Sequence, residues 1–199
     1  MMPDPRILLA STSPRRAYLL RKAGITFEVV PSSASELPPG ALEPQALCMH
    51  NATLKATAVA DEHRDALIIG CDTIVCLDNR AFGKPRHMEE AVAFLSQLQG
   101  RSHIVLSGLS IICRNRKLEH CMHESTEVVF KPMTNQDVKN YLKLIDPLDK
   151  AGGYAAQEHT DLIIDRVEGS FANVMGLPIE RLQKELQRIC ATFRDEKVE

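Results

Sequence analysis

The stretch Leu8-Leu9-Ala10-Ser11-Thr12-Ser13-Pro14-Arg15-Arg16 joins the end of an apolar run, a helix start and two guanidinium groups. Ile7, Leu8 and Leu9 read as a short core strand. Ser13 is a good N-cap, and Pro14 suits the first helical position, where its missing N–H costs nothing. A helix is predicted from there towards Gly24. Strand, tight turn and capped helix together open an α/β unit, and the free amides and positive end of such a helix favour an anion. Ser11, Thr12, Arg15 and Arg16 add hydroxyls and bidentate forks that suit phosphate oxygens. An ordinary capped helix with two solvated arginines fits the same residues, because adjacent arginines point different ways around a helix. Taken alone, the corner leaves the two readings even.

Outward from this corner, runs of strand length alternate with helical periodicity. Strands are predicted at 6–10, 27–30, 67–71 and 74–77, and helices at 14–23 and within 43–62, which favours an α/β class. A turn at Leu77-Asp78-Asn79-Arg80 leads to Phe82, and Ala91, Val92, Leu95 and Leu98 form one stripe of a helix from Met88 to Leu98. Two long strands at 103–113 and 118–130 flank the turn Arg114–Lys117, which predicts antiparallel pairing there. Thr134 to Asp137 is a capping arrangement opening a helix to Leu144, and Pro178 starts an amphipathic helix through Ile179, Leu182, Leu186 and Ile189. The charged tail from Arg194 is expected to fray. The chain has no internal repeat or linker, and one domain over 1–199 is expected.

Charge and composition narrow the partners. The 24 basic and 26 acidic residues are interleaved, with a formal net charge of −2, so neither a nucleic-acid polymer nor a polybasic membrane anchor is indicated. No apolar run approaches the roughly 18 residues needed to span a bilayer, and no signal peptide is recognisable, so a cytoplasmic protein is expected. Cys48, Cys71, Cys76, Cys113, Cys121 and Cys190 form no C-x-x-C pair and are read as reduced thiols. The histidines make no H-x-x-x-H or H-E-x-x-H pair, and no G-x-S-x-G elbow is present, which disfavours zinc and serine hydrolases. His120 and His123 fall on opposite faces of a predicted strand.

Three further places bring polar residues to apolar elements. Leu67 to Thr73 rises from a strand into Asp72 and Thr73; a carboxylate at a strand's carboxyl end is placed to hold a metal or activate water. A buried carboxylate there needs a partner. Gly83-Lys84-Pro85 offers close backbone approach and a point charge, although lysines in such turns are commonly solvated. Asp149 to Gln157, with Gly152 and Gly153, has the character of a ligand-covering loop, yet no P-loop or dinucleotide-binding spacing occurs. Lys55 lies beside the small residues of its helix, and Glu36 in a Pro/Ser-rich segment; spacing alone selects neither.

Taken in order, Leu9 to Arg16, Ala52 with Lys55-Ala56, Asp72-Thr73, Gly83-Lys84-Pro85, Gly100-Arg101 with His103, Asp149 to Tyr154 with Gln157, and Asn173 to Pro178 resemble the Maf family of nucleotide pyrophosphatases. The resemblance covers roughly residues 6 to 183. It implies a mixed α/β fold with an elongated, strongly bent sheet flanked by helices and two lobes around a cleft, like inosine triphosphate pyrophosphatases. It implies hydrolysis of a nucleoside triphosphate between the α- and β-phosphates with a divalent cation, magnesium or manganese, as house-cleaning of the nucleotide pool. By position, Ser11, Arg15, Arg16, Lys55 and Lys84 are implied to bind phosphate and Asp72 to accept the proton of the attacking water. Glu36 with Asp72 is implied to hold the metal. Arg15, Thr73 and Gln157 resemble the subgroup that prefers dTTP and UTP over 7-methyl-GTP, and the family suggests a homodimer.

This chain departs from the family pattern at Glu158, His159 and Thr160, where glycines are usual, at Ser107, where threonine is usual, and at Cys71. Two alternatives accompany the reading. One is a nucleotide-binding regulator of septum formation without turnover; the other is a 7-methyl-GTP pyrophosphatase.

Overall fold

The computed structural model describes residues 5–195, so part of the charged tail lies outside them. In chain order the strands are β1 (Ile7–Leu9), β2 (Glu28–Val29), β3 (Leu67–Leu77), β4 (Arg80–Phe82), β5 (Ser102–Cys113), β6 (Leu118–Phe130) and β7 (Ile164–Glu168). The helices are α1 (Pro14–Lys22), α2 (Pro44–Glu62), α3 (Met88–Leu98), α4 (Asn135–Leu142), α5 (Thr160–Ile163), α6 (Phe171–Val174) and α7 (Ile179–Asp195). They build an α/β fold around one open, mixed sheet in the order β2-β1-β3-β5-β6-β7, with β4 folded back on β3. β1 runs parallel to β2 and β3, and every other pairing is antiparallel.

Local chemistry sets where several of these helices start. Ser13 caps α1 by accepting the Arg16 N–H, and Thr134 and Asp137 close a full capping box on α4. Among the described residues no helix is long and apolar enough to cross a membrane. Cys48, Cys71, Cys76, Cys113 and Cys121 are free thiols.

Four expectations are corrected. The two strands read at 67–71 and 74–77 are one strand, β3, with Asp72 and Thr73 at its middle and not beyond its end. The helix after Thr134 stops at Leu142, because Lys143 and Leu144 donate to carbonyls three residues back and tighten the last turn. α1 ends at Lys22, one residue before the predicted end. The last helix runs to Asp195, two residues into the tail where fraying was expected, and the rest of that tail lies outside the described residues.

Alternation along β3 and β5 puts their odd-numbered residues on one face, where the apolar packing forms two main cores. On one face, Leu67, Ile69 and Cys71 of β3 with Leu109 and Ile111 of β5 pack under α1 and α7. Further along the same face, Val75, Leu77 and Val105 pack with α3 and α4. Thr73 and Ser107, which are register partners, fall between the two cores and make a polar seam. On the other face, α2 lies close over Gly70 and Gly108. A Cβ at Gly70 would stand 2.3 Å from the Ala52 carbonyl oxygen, and one at Gly108 2.2 Å from that of Cys48.

The edge of β3 completes the frame. β1 pairs with Leu67–Ile69 at one end and β4 with Val75–Leu77 at the other, both along the edge that β5 does not occupy. Among the described residues, 70–74 therefore have no strand beside them on that edge, and Asp72 and Thr73 sit in the gap.

Candidate active site

A cleft of about 270 Å³ opens on this gap. The β1–α1 corner, the segment around Glu36, α2, β3, the Lys84 turn, the loop 149–157 and the turn after α6 line it. Ser11, Arg15, Arg16, Glu36, Lys55, Asp72, Thr73, Lys84 and Gln157, drawn from distant parts of the chain, all border this one space.

Arg16 lies along the polar seam and is 9 % exposed. Its Nε donates to the Gly176 carbonyl at 2.9 Å, one terminal nitrogen to Ser11 Oγ at 3.1 Å and the other to Thr73 Oγ1 at 3.3 Å. All three acceptors are neutral, and among the described residues no carboxylate lies within ion-pair distance of this guanidinium. A buried cation with neutral partners favours an anion at its open side. Ser11 Oγ also accepts the Ser13 N–H at 3.2 Å, so its own proton remains to be donated.

Gly176 and Thr73 hold this arrangement. The Gly176 carbonyl also accepts from Thr73 Oγ1 at 3.2 Å and from Cys71 Sγ at 3.3 Å, while Ser107 Oγ stands 2.9 Å from Thr73 Oγ1. Burial pushes the Cys71 thiol up, which keeps it a neutral donor beside Asp72. Thr73 thus supports Arg16 from the wall of the cleft.

Across the gap, Asp72 is 7 % exposed. Its Oδ1 is 2.8 Å from Lys55 Nζ, and its Oδ2 accepts from Asn51 Nδ2 at 3.3 Å. Lys55 Nζ is also 3.0 Å from Glu36 Oε1, so one ammonium joins a buried and a half-exposed carboxylate. Lys84 is exposed at the rim and makes no hydrogen bond or ion pair among the described residues.

Arg15 turns away from Arg16, as adjacent helix positions must. It donates to Asp149 Oδ2 at 3.0 Å and to the Asp149 carbonyl at 3.1 Å, tying α1 to the late loop. Burial opposes the charge on Asp149, yet the Lys150 hydrogen bond and the Arg15 guanidinium together hold its carboxyl below the ordinary range. The loop is pinned again where Gly152 N–H donates to the Gly83 carbonyl at 2.9 Å, which fixes the Lys84 turn against it. Gly152 has φ +70° and no room for a Cβ, which would lie 2.8 Å from Val75 Cγ2. Gln157 at the rim donates to Glu158 Oε1 at 3.2 Å, and His159 takes the left-handed backbone at φ +52° that a glycine adopts freely.

The chain matches the Maf-like protein family over residues 6–189. It belongs to the Maf family. A relative from Akkermansia muciniphila, named dTTP/UTP pyrophosphatase, is 43 % identical over 180 residues, covering 90 % of this chain and 94 % of the relative. Relatives of the same name from Pelotomaculum thermopropionicum and Bacillus cereus are 41 % and 38 % identical. The first alignment covers 92 % of this chain and 95 % of the relative, the second 92 % and 89 %.

For this Maf chain, sequence reasoning did not single out Asn51, the anchoring role of the Asp149 carboxylate or the Gly176 carbonyl. Asn51 had a signal: it precedes Lys55 by four residues and so shares its helix face. A main-chain carbonyl that accepts from three side chains has none.

His103, part of the Maf resemblance, sits below the loop with its Nε2 2.9 Å from the Tyr154 hydroxyl. Burial pushes its imidazole down to about 4. The folded chain keeps it neutral while the unfolded chain protonates it near 6.5, so its contribution to stability is complete above 6.5 and declines as pH falls towards 4. Urea unfolding at pH 7.5 and pH 4.5 is expected to show a larger acid loss than the His103→Gln variant, by about 2–3 kcal/mol. Equal losses would show that this imidazole does not carry the acid sensitivity.

Proposed function

We propose that this chain is a nucleoside triphosphate pyrophosphatase that hydrolyses dTTP and UTP to the monophosphate and diphosphate, clearing these or modified pyrimidine triphosphates from the nucleotide pool. The observation that carries the reading is the meeting in one cleft of a buried guanidinium that has no carboxylate partner among the described residues and a buried carboxylate on a lysine. A triphosphate bears about four negative charges near neutrality, and such a polyanion needs fixed cationic donors as well as a group that handles water.

In this reading Arg16, Ser11 and Lys84 take phosphate oxygens, and Asp72 accepts the proton of a water that adds to the α-phosphorus as the bond to the bridging oxygen breaks. Diphosphate leaves towards Lys84. Lys55 holds Asp72 in place and adds positive charge at the same point. Arg15 acts through Asp149 by keeping the late loop against α1. Glu158 occupies the amide nitrogen of Gln157, which leaves its carbonyl oxygen to accept the imide N–H of uracil or thymine.

The residues present fit a magnesium or manganese ion. Glu36 and Asp72 both reach one atom, Lys55 Nζ, and two carboxylates with substrate phosphates are a usual donor set for such a cation. No group of three or more His, Cys, Asp and Glu able to hold a metal occurs among the described residues, so phosphate and water would supply the other oxygens. When bound, the ion would neutralise phosphate charge and lower the cost of attack at phosphorus.

A panel of dTTP, UTP, CTP, GTP, ATP and 7-methyl-GTP with magnesium or manganese tests this. Equimolar monophosphate and diphosphate are expected, fastest from dTTP and UTP. Tight nucleotide binding without diphosphate release would replace the reading with that of a regulator, and faster turnover of 7-methyl-GTP would move the chain to the other subgroup.

A further inference from the structure

Asn51 and Lys55 stand one turn apart on α2, so their side chains leave the same face of the helix. Each takes one oxygen of Asp72, Lys55 at 2.8 Å from Oδ1 and Asn51 at 3.3 Å from Oδ2. Asn51 is 3 % exposed and also makes contacts in the opposite direction. Its Nδ2 donates to the Leu37 carbonyl at 3.1 Å, and its Oδ1 accepts the Leu37 N–H at 2.9 Å.

Leu37 directly follows Glu36. The segment 31–43 contains no helix or strand, so no ladder of backbone bonds holds Glu36 at its distance from β3. One carboxamide instead grips the peptide beside Glu36 and the free oxygen of Asp72. The task needs this side chain. Donors must reach both a carboxylate and a carbonyl while an acceptor meets an N–H; aspartate lacks the donors, and leucine of similar size lacks everything.

We propose that Asn51 is a positioning residue that sets the separation of Glu36 and Asp72, and thereby the affinity of this pair for a divalent cation. The inference rests on the reading of those two carboxylates as the cation-binding pair. Changing a group that orients a metal ligand costs about ten- to a hundredfold in metal affinity, whereas changing a merely structural residue would lower stability and leave affinity unchanged.

The test is Mn²⁺ binding to the protein with a non-hydrolysable α,β-methylene analogue of dTTP, counted beyond what the analogue alone takes up and followed by electron paramagnetic resonance of the free ion, for the unaltered chain, Asn51→Leu and Asn51→Ala. The metal concentration giving half-maximal diphosphate release from dTTP is measured beside it. In folded variants, both Mn²⁺ binding and the half-maximal concentration are expected to weaken by about tenfold or more. Asn51→Ala answers the question if the leucine variant does not fold, because it removes the carboxamide without adding bulk. Mn²⁺ affinity within about twofold of the unaltered chain overturns the positioning role and leaves the cation reading standing. An unaltered chain that binds no Mn²⁺ overturns both, and turnover in the substrate panel then tells whether the enzyme reading survives without them.

Discussion

Asp72→Asn is expected to leave the chain folded and to cut diphosphate release by about a hundredfold to ten-thousandfold. The two halves of this expectation have separate causes. Removing one member of a buried ion pair normally strands the other charge at a cost of about 3–5 kcal/mol. Here Lys55 retains Glu36 at 3.0 Å, and the new carboxamide has the volume of the carboxylate it replaces. The carboxamide oxygen can still accept from Lys55, while its NH2 faces Asn51 Nδ2 and gives up that 3.3 Å hydrogen bond, a loss of about 1–3 kcal/mol that leaves the chain folded. The variant cannot take a proton from water at neutral pH. Thermal unfolding within a few degrees of the unaltered chain, together with lost turnover of dTTP and UTP, is the expected pair of results. Retention of more than about a tenth of the rate would remove Asp72 from the role of base. Lys55→Met provides the contrast, because it leaves two carboxylates facing each other without their cation and is expected to cost stability as well.

What could be read from the sequence divides along the range of the interactions. The Ser13-Pro14 start of α1 and the Thr134–Asp137 box are local chemistry, and both occur as expected. The antiparallel pair of long strands was legible because the polar turn Arg114 to Lys117 separates two segments of strand length, and Lys117 takes the left-handed conformation at φ +51°. β3 was read as two pieces for a physical reason. Asp72 and Thr73 break its apolar pattern, and each is polar because of a partner remote in the chain: Lys55 and Asn51 for the one, Arg16, Ser107 and Gly176 for the other. β7 escaped notice because an exposed edge strand carrying Asp165, Arg166 and Glu168 has little apolar alternation to find. At the site, order along the chain and family resemblance brought the charged residues together. Neither revealed that Arg15 faces Asp149, or that Thr73 is spent on Arg16.

Gly108→Ala is expected to lower the melting temperature by roughly 4–12 °C, from an overpacking cost of about 2–3 kcal/mol, and to reduce turnover by about a hundredfold although Gly108 touches no substrate. Gly108 is the register partner of Asp72, and a Cβ on it would meet the Cys48 carbonyl oxygen at 2.2 Å and the Met49 nitrogen at 2.6 Å. These are backbone atoms of α2. A side chain could rotate aside, but here the helix itself must lift by about an ångström to restore normal contact. The small gain from restricting the unfolded chain, about 0.4–1 kcal/mol, does not offset this. Lifting α2 carries Lys55 and Asn51 away from Asp72, and an ion pair at 2.8 Å does not survive such a shift unchanged. Gly70→Ala presses on the next turn of the same helix, against Ala52 and Ala56, and is expected to act in the same direction. The double variant decides the cause: once one methyl has raised α2, the second meets less resistance, so the two losses should sum to clearly less than additivity. Strictly additive losses, or full turnover in either folded variant, would show that the close approach of α2 to the sheet is not what holds Lys55 and Asn51 on Asp72.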